Sequence, residues 1–277
     1  MDFFVQLFNF FDKEMIEPTN YGWFHIMFMV IIVTTTVMLC TFFKDCTDKT
    51  MRKILLIFWL TIVSFEIYKQ LNFGFDVVDG KLMWDYAWYA FPYQLCSTPL
   101  YAMPFVIFLR EGKIRGSFIA YMGTFSLFGG IAVFFYPNDV FITTIGINIQ
   151  TMVHHGTQIV IGVFLILHQR KKLGILHYLS SIPVFTLFSV IAIILNELTV
   201  ACGLEDTFNM FYISRHYDCT LPILSDIYPK VPYGIFLMIY LVGFVFVSIA
   251  VYYAQYGIFR LVQHIKKVIE NDEKSKA

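Results

Sequence analysis

The chain has 277 residues, 58% of them apolar and 14% charged, with a formal net charge of zero. Its mean hydropathy is +0.66. A soluble domain is about half apolar and a quarter charged, so an ordinary soluble domain is excluded, and the neutral balance gives no electrostatic basis for binding nucleic acid.

The first twenty residues lack the basic start and small-residue cleavage site of a signal peptide. The run FFVQLFNFF within them reads as a short amphipathic helix lying on the outer leaflet. Crossing a hydrocarbon core of ~30 Å takes about 20 mostly apolar residues in a helix. Seven stretches meet that length: Trp23–Phe43, Ile54–Phe73, Trp88–Leu109, Ser117–Tyr136, Thr144–Leu167, Tyr178–Val200 and Tyr233–Tyr253. Their apolar runs are continuous, not alternating, which favours helices over a barrel. The expected fold is therefore all-α, a polytopic membrane helix bundle of seven transmembrane helices. Residues 21–253 form its membrane domain, with a long outer loop at 201–232, and residues 254–277 form a tail.

Orientation follows the basic residues. Lys44, Lys49, Arg52 and Lys53 follow span one, Arg110, Lys113 and Arg115 span three, and Arg170, Lys171 and Lys172 span five. Five more follow span seven, whereas the opposite loops hold Lys13, Lys81, Arg215 and Lys230. The positive-inside rule then puts the amino end outside and the carboxyl end in the cytoplasm. This is the pattern of an integral multi-pass protein of the cell membrane. Two of the five cysteines, Cys202 and Cys219, fall in the outer loop, where a disulfide between them is open.

Polar groups inside spans are costly and mark function. Span two carries Glu66, Lys69 and Gln70. Span three carries Gln94 and Cys96 within FPYQLCSTPLYAMPF, which also holds three prolines. Span five carries Asn148, Gln150, His154, His155 and Gln158, and span six ends with Asn196 and Glu197. At a helical rise of about 1.5 Å per residue, Glu66 lies roughly 18 Å above the inner edge, and Cys96 and His155 roughly 12 and 16 Å below the outer one. These depths are compatible with one site. A thiol becomes a good nucleophile when a neighbouring histidine takes its proton, and a carboxylate can orient that histidine. Thr151, His155 and Gln158 share one helix face and Gln150, His154 and Thr157 the next, so which histidine meets Cys96 is open. A filler cysteine, a structural Glu66–Lys69 pair and a simple proline kink are the bland alternatives.

A glutamate late in span two, Pro-x-x-x-Cys opening span three and His-Gly in span five together resemble the YwaF-like integral membrane protein family. This family includes the animal transmembrane protein one-six-four. The resemblance extends over about Tyr21 to Tyr253, and the outer segment from Phe208 to Phe236 is similar to the family's last stretch. It implies a membrane-embedded phospholipid acyltransferase, or acyl-lipid hydrolase, working through a cysteine acyl-enzyme. Cys96 would then be the nucleophile and His155, or His154, its base. Glu66 and Asn209 match family positions without an assigned role. Gln94 stands where the family commonly has a histidine, and glutamine cannot titrate. The supporting polar layer is thus Glu66, Gln94, Gln158, Asn196 and Asn209. The expected partners are membrane phospholipids or other acyl lipids, with no cofactor and no metal. The alternatives from other classes are a proton-coupled carrier using the Glu66, Lys69 and histidine layer, a receptor using the outer loop, and a metal site of Cys96, His154, His155 and Glu66.

Overall fold

The structure is a computed structural model that describes residues 3–137, 140–170, 174–204 and 207–276. It is all-α apart from one hairpin. Helix α1 (Phe3–Phe11) precedes α2 (Trp23–Phe42) and α3 (Asp48–Asn72). Strands β1 (Phe75–Val78) and β2 (Lys81–Trp84) then pair antiparallel, with Phe75 opposite Trp84. The turn between them is Asp79-Gly80, both at positive φ, which matches the right-handed twist of a two-residue hairpin. Helices α4 (Pro99–Phe108), α5 (Lys113–Tyr121) and α6 (Leu127–Phe135) follow, the last two joined by a π-helical turn over Met122–Ser126. Helix α7 (Ile145–His168) is central, packed by α2, α3, α6 and the π turn. Helices α8 (Ile175–Leu179) and α9 (Ile182–Ala201) precede a long loop containing α10 (Leu224–Ile227), and α11 (Tyr233–Lys276) closes the chain.

Among the described residues, six helices or helix pairs are long and apolar enough to cross a membrane. The segment expected as a third span, kinked by its prolines, is broken outright. It runs as 3-10 turns at Trp88–Ala90 and Leu95–Ser97 and then as α4, so its helical run covers only Leu95–Phe108. The prolines are the cause. Pro92 and Pro99 donate no N–H, and before Pro92 the chain is pushed out of helical geometry, Phe91 sitting at ψ 133°, whereas Pro99 takes the first position of α4 after a helical Thr98. Pro104, inside α4, leaves the Leu100 carbonyl without its helical donor, and the indole N–H of Trp59 supplies one at 2.9 Å. Cations hold the far end of α4. Arg115 donates to the Val106 carbonyl at 2.8 Å and Arg52 to that of Ile107, where a helix C-terminus favours positive charge. The π turn frees the Gly123 carbonyl, which accepts from Gln255 of α11 at 2.8 Å.

The loops gather at two ends. At one, Asp45 pairs with Arg170 and Asp48 with Arg52 and Arg115. At the other, residues 13–15 form a strap bridged to 143–145, and Asn72 donates to Asp12 at 3.1 Å. The Asn148 side chain, on the first turn of α7, closes the same loop by pairing with both backbone groups of Ile142. Outward faces carry apolar side chains, such as Val30, Val33 and Val37 on α2, in keeping with lipid contact. Helix α11 continues unbroken from the last span through the expected tail to Lys276. Cys202 and Cys219 are free thiols, Cys202 exposed and Cys219 buried, so no disulfide joins them.

Candidate functional site

The site is built around the turn Leu95–Ser97. In a continuing 3-10 turn the Cys96 carbonyl would bond the N–H of residue 99. That residue is Pro99, which has none, so the carbonyl is left for another partner. It accepts two bonds from α7, from His154 Nε2 at 2.7 Å and from Gln158 Nε2 at 2.8 Å. His154 and Gln158 are i and i+4 and project from one face.

A carbonyl only accepts, so the bond fixes the His154 tautomer with its proton on Nε2. The lone pair is then on Nδ1, which is buried with no partner among the described residues. His155 follows the same logic on its own helix. Its Nδ1 donates to the Thr151 carbonyl at 2.7 Å, leaving Nε2 buried as an unpartnered acceptor. The two rings stand edge to face, with centroids 5.7 Å apart. Of the two, His154 bonds Cys96 directly.

Two glycines allow α6 to close on this centre. A Cβ on Gly129 would lie 3.2 Å from Gln158 Oε1 and 3.8 Å from Cys96 Cα. One on Gly130 would lie 2.7 Å from the His155 carbonyl oxygen, closer than real Cβ contacts come. Thr98 hydrogen-bonds the buried Tyr121 hydroxyl at 2.7 Å. Gly129, Gly130 and Ser97 escape a search for titratable groups; only the Gly-Gly pair in an apolar run signals a close approach.

Glu66 anchors a second layer. Its Oε1 pairs with Lys69 Nζ at 3.0 Å and accepts from Gln70 at 2.7 Å, while Oε2 takes Gln150 at 3.4 Å. Gln70 also donates to the Ala90 carbonyl at 2.9 Å, and its own oxygen takes the Tyr86 hydroxyl.

The other candidates do different work. Gln94 donates to the Asn209 carbonyl at 2.9 Å and accepts from the Phe211 amide at 2.8 Å. Asn196 grips Met210 by both backbone groups, at 2.7 and 3.1 Å. Asn209 accepts from the Ser214 amide and donates to the Asp218 carbonyl. Three side-chain amides thus fold a loop segment inward, and Phe208, Met210, Phe211 and Ile213 are all fully buried in the core. They hold Phe211 and Tyr212 in left-handed conformations, φ 58° and 57°, each costing on the order of 1–2 kcal/mol for a non-glycine residue. Glu197 points away from the site, to Arg215 at 2.7 Å and His216 at 3.3 Å. Among the described residues, no three of His, Cys, Asp and Glu come together as metal ligands.

Comparison with protein-family models matches the TMEM164 family over residues 20–256. The chain belongs to the TMEM164 family. Membership across most of its length, with six membrane-length apolar helices, makes it an integral membrane protein. No curated protein and no solved structure matches it significantly. The TMEM164-family assignment agrees with the resemblance carried by the glutamate, Pro-x-x-x-Cys and His-Gly motifs. The two histidines, the cysteine and Glu66 of this family member lie in the layers just described, between α3, α7 and the broken third segment.

Proposed function

We propose that this TMEM164-family protein is a membrane phospholipid acyltransferase, or acyl-lipid hydrolase, with Cys96 as nucleophile and His154 as its base. The observation that carries the reading is the His154 tautomer, with Nε2–H on the Cys96 carbonyl and a buried lone pair left on Nδ1. A base needs an acceptor near the proton it takes, and here that acceptor belongs to a ring already tied to the nucleophile's residue. The thiol proton passes to His154, sulfur bonds the ester carbonyl carbon, and the C–O bond to the glycerol breaks. His154 returns the proton to the leaving oxygen. In the second half an acceptor hydroxyl, from a lysolipid or water, reverses the sequence and releases the thiol. His155 stands beside the base as its neighbour.

The membrane arrangement proposed with it has seven crossing segments, Leu95–Phe108 being a short third. The amino end is outside and the carboxyl end cytoplasmic, in the cell membrane. Basic residues crowd the loop end held by Arg52, Arg115 and Arg170, which supports that sense. A carrier would move charge through the Glu66 layer. Glu66 is instead held by three side chains, which favours a positioning role over transport.

Purified protein given a phospholipid with a labelled acyl chain should form a hydroxylamine-sensitive adduct on Cys96, lost in Cys96→Ala. His154→Gln should slow adduct formation by about 10²-fold or more, and His155→Gln by less. Full acyl exchange by Cys96→Ala would exclude the thiol mechanism.

A further inference from the structure

Helix α11 is the longest among the described residues, with 44 residues from Tyr233 to Lys276, about 66 Å at a helical rise of about 1.5 Å per residue. A hydrocarbon core of ~30 Å takes only the first 20 or so of them, to the region of Tyr252. Leu261 and Val268 then stand about 14 and 24 Å beyond that core along the helix. The headgroup layer adds about 6 Å, and even a tilt of about 40° leaves Leu261 roughly 10 Å out. Yet this outlying part is apolar on one face. Ile258 is 64% exposed, Leu261 58%, Ile265 49% and Val268 46%. A contiguous apolar face that lipid does not reach marks an interaction surface.

The pattern says what kind of surface. The four residues recur at steps of three, four and three, the a and d spacing of a coiled-coil seam. Counting back from Leu261 by four, three and four, Gly257, Ala254 and Ala250 continue the same face towards the membrane. Both alanines are exposed, and nothing lies within 4 Å of where a Cβ on Gly257 would stand. Small residues there leave room for a second backbone to approach closely. The polar side chains turn away. Arg260 lies across the helix, its Nε bonded to the Tyr256 hydroxyl at 3.0 Å and its guanidinium 5.2 Å from that ring. Exposed Gln263 is on the same far side. Another helix can therefore seat on the stripe without desolvating Arg260.

We propose that this face of α11 seats the α11 of a second copy of the chain, in a parallel pair about an axis along the membrane normal. Membrane insertion selects the partner. Two copies inserted alike present α11 parallel and at one depth, so Leu261 meets Leu261 and Val268 meets Val268 with the register already set. The bilayer surface is not the occupant. An interfacial helix lies in the plane of the membrane, whereas α11 is unbroken from Tyr233 to Lys276 and carries the stripe away from it. The inference rests on the crossing of the membrane by α11 and not on the chemistry of Cys96.

The test uses the full chain in isolated membranes, with one cysteine added at a time. Oxidised by copper phenanthroline, Leu261→Cys and Val268→Cys should each give a disulfide-linked species of twice the chain mass on a non-reducing gel. Gln263→Cys, on the far face, and the unaltered chain should link at least about tenfold less, because a disulfide needs Cα atoms within about 7 Å. Adding Leu261→Glu and Ile265→Glu to Val268→Cys should cut its linkage about tenfold, since like charges then meet in the seam, whereas Gln263→Glu should leave it unchanged. The thermal unfolding midpoint of the purified double-Glu protein should hold, because both positions are exposed in the single chain; this separates loss of pairing from loss of fold. Equal linkage at Leu261→Cys and Gln263→Cys would overturn the proposal, as would undiminished linkage in the double-Glu protein. A linked species of another mass would seat a different protein on the face and overturn the second copy. Quenching of a fluorophore on Leu261→Cys by acyl-brominated lipid would return the stripe to the bilayer and overturn it likewise.

Discussion

At the scale of single residues, one missing hydrogen organises the site. Pro99 cannot donate to Cys96, so α7 does, through His154 and Gln158. Gln94 is equally specific, because its amide must donate to Asn209 and accept from Phe211 at once. Gln94→Glu keeps the acceptor but sets a second oxygen against the Asn209 carbonyl. It should lower stability by about 1–3 kcal/mol, the cost of an unmade buried bond, seen as a lower midpoint in thermal unfolding. Gln94→Glu unfolding at the wild-type temperature would show that the inward segment does not depend on the clamp. The two outer-loop cysteines separate by environment. Burial pushes the Cys219 thiol pKa up, so less of it is thiolate at neutral pH and less of it reacts. Maleimide should label exposed Cys202 quickly and Cys219 slowly, and the Cys219 rate should keep climbing as pH rises above neutral.

At the scale of elements, the membrane helices were legible because each is a long apolar run: α2 and α7 fall within a residue of their expected bounds, while α3 starts six residues earlier and α9 four residues later than expected. The third was legible only as a kinked span, because its prolines break the helix more completely than a kink. Length and apolarity say nothing of whether backbone donors exist, and Pro92 and Pro99 remove two in succession. The Asp79-Gly80 turn was readable too, lying between Val-Val and Lys-Leu, and passed unnoticed beside the stronger helical signal. The polar layer resolved only in part. Depth along a helix placed Glu66, Cys96 and the histidines together, but it cannot tell a side chain facing the thiol from one clamping a loop. Gln94, Asn196 and Asn209 proved to be the latter. The α6–α7 contact yields a graded test. Gly130→Ala puts a methyl against a fixed backbone carbonyl, whereas Gly129→Ala meets the movable end of Gln158. Overpacking costs typically 1–3 kcal/mol, so Gly130→Ala should unfold at the lower temperature. Gly129→Ala should stay close to wild type in stability yet lose Cys96 acylation, because Gln158 must shift off the Cys96 carbonyl.

For the whole molecule, the ion pairs say which loops share an end, and the proposed orientation puts the end rich in basic residues in the cytoplasm. Asp45–Arg170 and Asp48–Arg115 tie the loops after α2, α4 and α7 together, while the strap at 13–15, the hairpin and the loop after α9 belong to the other end. A helix of 20 residues such as α2 spans about 30 Å, so the proposed membrane arrangement puts the two ends on opposite faces of a bilayer. Cys46, between α2 and α3, and the exposed Cys202, just after α9, therefore report opposite sides. Two single-cysteine proteins, each keeping one of these thiols, can be treated in intact cells with a membrane-impermeant maleimide. Cys202 should label without permeabilisation and Cys46 only after it. The inverse result would reverse the orientation and place the Cys96 layer nearer the cytoplasmic leaflet. It would leave the bonds from α7 to the Cys96 carbonyl, and the chemistry argued from them, unchanged, because those depend on helix contacts and not on which leaflet supplies the lipid.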